Sequence, residues 1–170
     1  MQNAGAALAA LRALGFGEDA CEAAMRDATW PARMQRLRTG PLAEAAGDAE
    51  LWLDGGHNPA AGEVIAEVLS GLPARRTHLI CGMLNTKDVA GFLRPLAAHA
   101  KSLTAVSIPG EAATLPAEET ARIAAAAGHE AHTAPSLGAA VAAIRGVDPG
   151  ARILICGSLY LAGQVLRENG

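Results

Sequence analysis

Residues 51–59 constrain the fold of this 170-residue chain more than any other stretch. They read Leu-Trp-Leu-Asp-Gly-Gly-His-Asn-Pro. A short apolar run is typical of a buried strand, two glycines allow a tight turn, and Asn-Pro is typical of a helix start. Apolar residues at helical spacing then predict a helix over residues 59–72 with an inward stripe: Ala61, Val64, Ile65, Val68, Leu69 and Leu72. Asp54 and His57 therefore lie at the carboxyl end of a predicted strand, where α/β sheets bind ligands.

The chain after residue 50 alternates strands with helices. This pattern predicts an α/β fold, namely a Rossmann-like, mostly parallel sheet with helices on both faces. Further strands are expected at 78–82, 103–108, 130–133 and 152–157, and helices at 86–100, 116–127, 136–145 and 158–168. Residues 41–47 read as a loop. Two Ala-rich helices, 2–14 and 18–28, come first and are too small to form a core.

The tetrapeptide Leu-Ile-Cys-Gly occurs twice, at residues 79–82 and 154–157. Both copies read as central strands that end in a glycine turn, on the same sheet edge as Asp54. We therefore expect the loop 82–87 and the turn 157–160 to border a pocket that contains Asp54 and His57.

Composition and motifs exclude several functional classes. The net charge of −3 does not point to nucleic acid or an anionic membrane, so we expect neither partner. No apolar run approaches the roughly 18 residues of a membrane span. The three cysteines form neither a CxxC pair nor a disulfide framework, which favours a cytoplasmic protein. A dinucleotide-binding domain is disfavoured because the chain lacks GxGxxG and GxxxxGK[ST] motifs.

The central motif resembles that of a known family. Leu-Asp-Gly-Gly-His-Asn-Pro, at residues 53–59, is similar to the Leu-Asp-Gly-Ala-His-Asn-Pro signature of folylpolyglutamate synthase/dihydrofolate synthase, a branch of the Mur ligase superfamily. Three other stretches agree in order and spacing. Asn3-Ala4 resembles the family's linker helix, Trp30-Pro31-Ala32-Arg33 its Trp-Pro-Gly-Arg motif, and residues 156–163 its Gly-Ser-Leu-Tyr-Leu motif. The chain departs from the pattern at Ala32, Gly56 and Thr86.

The resemblance implies both a domain organisation and a reaction. Residues 30–170 would form the C-terminal glutamate-ligase domain, and residues 1–29 the tail of a preceding ATPase domain with its linker helices. Such ligases use ATP and Mg²⁺ to add L-glutamate to dihydropteroate or folate through an acyl phosphate. The magnesium site is expected in the N-terminal ATPase domain of the same parent chain, before Met1, so we expect this segment alone to be inactive.

The resemblance also assigns roles to individual residues. Asp54 and His57 are the catalytic candidates: Asp54 would accept hydrogen bonds from the ribose, and His57 would lie near the nucleotide and the glutamate. Asn3 would contact the adenine edge, and Arg33 would reach the phosphates. At a strand end beside a glycine turn, we expect the Asp54 carboxylate to stay hydrated and to serve a ligand rather than the fold.

Ser158 and Tyr160 are weaker candidates, assigned to the glutamate pocket. Plain structural interpretations stay open for all these residues, such as a helix cap for Ser158 and packing for Tyr160. Lys87-Asp88 reads as a charge pair at a helix start. Two other classes also stay open: a non-catalytic nucleotide or small-ligand binding module of the same fold, and a metal site made by His57, Cys81 and Cys156.

Overall fold

The computed structural model describes residues 2–169, without the side chains of Gln2 and Asn3. The chain consists of two compact units, Met1–Pro31 and Ala32–Gly170. The first unit contains α1 (Gln2–Ala13) and α2 (Glu18–Asp27), as predicted. Arg12 Nη2 lies 2.6 Å from Glu18 Oε2 and so links the two helices. Assignment of this unit to a preceding domain stays a prediction.

The second unit is built on a six-stranded sheet. Its strands are β1 (Gln35–Leu37), β2 (Glu50–Leu53), β3 (Thr77–Cys81), β4 (Ser102–Ala105), β5 (Ala131–Thr133) and β6 (Arg152–Cys156). They lie in the order β1-β2-β6-β3-β4-β5. Every neighbouring pair is parallel except β1 and β2, which are antiparallel. The predicted mostly parallel sheet is therefore confirmed, and β1 adds an antiparallel edge.

Helices cover both faces of this sheet, as the α/β pattern requires. One face packs against α3 (Pro41–Ala46), α7 (Leu137–Val147) and α8 (Leu159–Glu168). The other packs against α4 (Pro59–Gly71), α5 (Val89–Leu93) and α6 (Ala117–Ala126). Within residues 2–169, no helix has the length and apolarity needed to cross a membrane.

Three sequence-based boundaries were wrong. Residues 41–47 are not a loop, because Pro41 occupies the first turn of α3, where proline is favoured. The helix expected at 86–100 is only α5, followed by a 3₁₀ turn, Arg94–Leu96; Pro95 lacks an N–H and cannot continue an α-helix. The strand expected at 103–108 ends at Ala105.

The inward face of α4 is also shifted from the predicted stripe. Val64 and Val68 are 58% and 36% exposed, whereas the buried residues are Gly62, Ile65, Ala66 and Leu69. Gly62 is part of the contact because a Cβ there would lie 2.3 Å from the carbonyl oxygen of Phe92. The absence of a side chain at Gly62 thus lets α4 approach α5.

We expect Gly62→Ala to lower the free energy of unfolding by about 1–2 kcal/mol, since overpacking against a backbone carbonyl outweighs the gain in helix propensity. Gly71→Ala is the control on the same helix, where an added Cβ meets nothing within 4 Å. That variant should be neutral or stabilised by up to about 1 kcal/mol. Urea unfolding measures both. Equal stability of the two variants would contradict a close approach at Gly62.

Candidate functional site

The three central strands end together at one edge of the sheet, and their hydrogen bonding continues past the strand ends. Asp54 N donates to Ile155 O (2.9 Å), Gly157 N to Gly56 O (3.0 Å) and Gly82 N to Cys156 O (3.2 Å). Register places Cys81 opposite Cys156, so the two Leu-Ile-Cys-Gly segments are direct neighbours. The predicted meeting of these three turns is confirmed.

Gly157 makes this close arrangement possible. Its φ of +107° lies in a region that favours glycine. A Cβ at this position would also lie 2.7 Å from Gly82 O and 2.8 Å from Cys81 Sγ. Both the backbone conformation and the lack of space therefore require glycine at position 157, between the end of β6 and the start of α8.

The Asp54 carboxylate is buried and holds two segments of backbone together. It is only 6% exposed. Oδ2 accepts a hydrogen bond from Met34 N (2.8 Å), and Oδ1 accepts one from Gly56 N (2.6 Å). The expectation of a hydrated carboxylate that serves only a ligand was wrong, because the segment before β1 brings its N–H to this strand end. A direct ligand contact by Asp54 stays a prediction.

The segment around Arg33 is held in an unusual conformation. Ala32 and Met34 both have positive φ, 54° and 40°, although neither is glycine. Such residues cost free energy and persist only where their surroundings fix them. Ala32 N donates to Gln35 Oε1 (2.8 Å), and Ala32 O accepts from Gly55 N (2.9 Å). With the Asp54–Met34 bond, these contacts fix the backbone on both sides of Arg33.

Arg33 itself extends from this braced segment and is exposed. Its Nη1 donates to Ala32 O (2.8 Å) and lies 3.0 Å from where a Gly55 Cβ would be. Among the described residues, no carboxylate forms a salt bridge with it. The guanidinium is thus placed beside the glycine turn with most of its donors available.

His57 and Asn58 occupy the start of α4. Asn58 Oδ1 accepts from Ala61 N (2.9 Å), and Pro59 is the first helical residue, as predicted. His57 Nδ1 lies 2.9 Å from Gly55 O. A carbonyl only accepts, so Nδ1 is the donor in this contact, and in a neutral imidazole Nε2 is then the nitrogen that accepts. The imidazole is therefore oriented by the turn it follows.

A cleft of about 320 Å³ opens beside these turns. His57, Ser158 and Tyr160 line it, together with the loop after β3, as the sequence predicted; the full lining is His57, Leu84, Thr86, Lys87, Gly157, Ser158, Leu159 and Tyr160. The expectation that Asp54 would lie in this pocket was wrong, because its carboxylate is bound to the backbone of Met34 and Gly56; Arg33 does not line the cleft either. The side chain of Asn3 lies outside the described residues, so its contact with the adenine edge stays a prediction.

Ser158 and Tyr160 contribute differently to this cleft. Ser158 is buried and caps α8, since its Oγ accepts from Tyr160 N (3.0 Å). The Tyr160 side chain is 59% exposed at the cleft mouth and is not packed in the core. The structural interpretation of Ser158 as a cap is confirmed, whereas packing of Tyr160 is not.

Lys87 lines the cleft, as expected for the loop 82–87, but its availability as an unpaired cation was not predicted. Asp88 was expected to pair with it, but the Asp88 side chain instead caps α5 by accepting from Gly91 N (2.9 Å). Lys87 is left exposed in the cleft lining, without a salt bridge among the described residues. The available signal was its place in the loop after a central strand, where functional side chains concentrate.

The cysteines below the cleft do not form a metal centre with His57. A hydrogen bond with Cys81 and burial raise the pKa of the Cys156 thiol well above its usual range, which favours the protonated form. Residues 2–169 contain no group of three or more His, Cys, Asp or Glu side chains placed to hold a metal ion. The alternative of a metal site made by His57, Cys81 and Cys156 has no geometric support.

Comparison with known proteins identifies similar sequences and structures. Residues 32–159 match the family described as Mur ligase, glutamate ligase domain. The chain is 32% identical over 136 residues to folylpolyglutamate synthase from Lacticaseibacillus casei, covering 80% of this chain and 29% of that protein.

Solved structures agree with this sequence similarity. E. coli FolC in complex with DHPP and ADP superposes with a TM-score of 0.77 and 26% identity, over 97% of this chain and 38% of that one. Mycobacterium tuberculosis folylpolyglutamate synthase complexed with ADP gives 0.77 and 25%, over 92% and 36%. The chain thus spans about a third of the length of each.

We expect Asp54→Asn to lower the free energy of unfolding by about 1–3 kcal/mol, because an amide nitrogen cannot accept a bond from a backbone N–H. Asp48→Asn is the control, since Asp48 is exposed, and it should stay within about 0.5 kcal/mol of wild type. Thermal and urea unfolding of the 170-residue chain measure both. Wild-type stability of Asp54→Asn would show that these two bonds do not support the fold.

Proposed function

This chain belongs to the Mur ligase family as a glutamate ligase domain, and we propose that it serves an ATP-dependent ligase that adds L-glutamate to dihydropteroate or folate. Residues 30–170 form the C-terminal domain in this proposal, and residues 1–29 end a preceding ATPase domain of the same parent chain. Support comes from the match to folylpolyglutamate synthase and from the charges at the carboxyl edge of the sheet.

The observation that carries this proposal is a set of uncompensated positive groups at one edge. Arg33 and Lys87 have no salt-bridge partner among the described residues, and the amino ends of α4 and α8 point to the same edge. Helix amino ends carry partial positive charge and favour anions. The expected ligands are all anionic there: a nucleotide triphosphate, a folate carboxylate and glutamate.

We assign nucleotide binding to the segment around Arg33 and the adjacent glycine turn at residues 55 and 56. Arg33 offers a planar set of donors that suits phosphate oxygens. His57, with Nδ1 held by Gly55 O, presents its other nitrogen near the nucleotide and the glutamate. Asp54 fixes both segments, and each of its oxygens has a second lone pair with which to accept a ribose hydroxyl. Asn3 would contact the adenine edge.

We assign the glutamate side to the cleft. Lys87 supplies the positive charge that a glutamate carboxylate requires, and the cleft is otherwise lined by neutral groups apart from His57. Tyr160 offers a hydroxyl at the mouth, and Ser158 a hydroxyl at the base of α8. A carboxylate of glutamate therefore has a matching cation in this cleft.

The proposed reaction needs this domain to close over its partner. ATP phosphorylates the folate or dihydropteroate carboxyl group, and the glutamate amine displaces phosphate from the acyl phosphate to form the amide. Water would hydrolyse the acyl phosphate, so the cleft residues must exclude it while they orient the amine. Mg²⁺ would neutralise phosphate charge, and we place its ligands in the ATPase domain. Free cysteine thiols suit a cytoplasmic location.

Glutamate-dependent release of ADP by the parent protein tests this function. The expected result is amide formation with the parent and none with the 170-residue chain alone, since the triphosphate site belongs to the other domain. A non-catalytic binding module is the alternative. Nucleotide or glutamate binding by the parent without any ADP release would favour that module and contradict the ligase.

Lys87→Met tests the glutamate assignment within the parent protein. Loss of a charge-assisted hydrogen bond worth about 1.5–3 kcal/mol should raise KM for glutamate roughly 10- to 100-fold, while KM for ATP changes little. Lys101→Met is the matched control, because Lys101 lies away from the cleft at the start of β4. A glutamate KM that rises equally in both variants, or in neither, would contradict the role of Lys87.

A further inference from the structure

A second, larger cavity lies at the opposite edge of the sheet. It measures about 460 Å³ and is bounded by β3, β4, β5 and the last turns of α7. Its residues from β3 and β4 lie toward the amino ends of those strands, and β5 contributes residues along its length, whereas the cleft described above lies at the carboxyl ends of β2, β3 and β6. The two sites share no lining residue, so we call this second one the amino-edge groove.

The floor of the amino-edge groove is polar, although it belongs to a sheet face that a helix partly covers. Register places His78 beside Ser102 on β3 and β4, and Thr104 beside His132 on β4 and β5. His78 Nδ1 lies 2.8 Å from Ser102 Oγ. Such a face is normally apolar under a helix, because buried polar groups without partners cost free energy.

Two buried polar atoms in the groove form no hydrogen bond among the described residues, although they contact each other. His78 Nε2 and Asp148 Oδ2 are buried, 3.5 Å apart, and neither forms a hydrogen bond. Thr104 also lines the groove, and its hydroxyl forms no hydrogen bond among the described residues but is not fully buried, so a ligand can reach it. Buried polar groups are nearly always paired in native proteins, so this cluster favours a ligand that completes it.

Apart from His78 and His132, the groove is lined by two cations and two carboxylates. Arg76 Nε lies 3.7 Å from Asp148 Oδ2, and Lys101 Nζ lies 3.6 Å from Glu130 Oε2. Both contacts are long, and three of the four side chains are more than half exposed. Exposed pairs of this kind contribute little to stability. A ligand that carries one positive and one negative group can therefore replace these pairs with its own ion pairs at little cost in free energy.

The wall of the groove is apolar. Ala143, Ile144 and Val147 form it, and Val147 is 78% exposed. Burying an aliphatic group against this wall would be favourable by the hydrophobic effect. The groove therefore combines a polar floor, an equal number of cations and carboxylates, and one apolar side.

We propose that the amino-edge groove binds a free α-amino acid with an aliphatic side chain. The ammonium group pairs with Asp148 or Glu130, and the carboxylate pairs with Arg76 or Lys101 and accepts from the Thr104 hydroxyl. The side chain covers Val147. A zwitterion matches the balanced charges, whereas a simple carboxylate or a simple amine leaves one kind of charge unused. This site is independent of the proposed ligase function.

Titration of the isotopically labelled 170-residue chain with leucine, followed by NMR, tests the ligand class. The expected result is saturable shifts of amides in 102–104, 131–133 and 143–148. Leucine lacking its amine (4-methylpentanoate) and leucine lacking its carboxylate (isoamylamine) should bind at least about tenfold more weakly. Equal affinity for these half-ligands, no saturable shift, or shifts confined to the cleft at Lys87 and Tyr160 would each overturn the proposal.

Thr104→Val separates binding from folding. It should weaken leucine binding about three- to tenfold without lowering the melting temperature, since an unpaired hydroxyl is replaced by an isosteric methyl group. Thr120→Val is the matched control: Thr120 is fully buried on α6 and its hydroxyl is also unpaired. It should leave binding unchanged. Ala143→Leu, which fills the groove, should abolish binding, and retained affinity in both groove variants would overturn the proposal.

Discussion

The parallel pairing of β2, β6 and β3 is the constraint on which the rest of the structure depends. Parallel strands present their carboxyl ends at one edge, and here the backbone bonds continue into the following residues, from Gly157 N to Gly56 O and from Gly82 N to Cys156 O. Two helices and one loop must therefore leave the sheet within a few ångströms of each other. Only glycine fits at 157, where φ is positive and a Cβ would lie 2.7 Å from the carbonyl oxygen of Gly82.

The Asp54 carboxylate converts this shared edge into a defined site. It binds the N–H of Met34 and of Gly56, and so connects the antiparallel edge strand to the glycine turn. The positive φ values at Ala32 and Met34 are stable because Asp54, Gln35 and Gly55 supply partners for that backbone. Arg33 is exposed as a consequence. The same carboxylate therefore supports the fold and positions a cation, which explains why a fold role and a site role are not exclusive.

Sequence periodicity predicted most of the elements because each depends on local chemistry. Asn58 and Ser158 each cap the helix assigned to them, and the two Leu-Ile-Cys-Gly segments are central strands. The position of β6 between β2 and β3 and the antiparallel β1 depend on pairing between distant residues, which local pattern does not encode. The burial of Asp54 was missed for the same reason: its partner Met34 lies 20 residues away. The exposed charge of Lys87 was not predicted, because the sequence does not show whether Asp88 pairs with Lys87 or caps α5.

The two edges of the sheet differ in electrostatics in a way that follows from their backbone. At the amino edge, Arg152 is 3% exposed and is held by Glu50 Oε2 at 3.3 Å and by Pro73 O at 2.9 Å, and the exposed cations each have a carboxylate nearby. At the carboxyl edge the helix amino ends already supply positive potential, and the nearby carboxylate of Asp54 is occupied by backbone donors. Among the described residues, Arg33 and Lys87 are thus left without a salt-bridge partner. A folded domain tolerates such uncompensated charge at an exposed edge, but a bound anion lowers the free energy of the domain. The carboxyl edge therefore selects anionic ligands, whereas the amino edge does not.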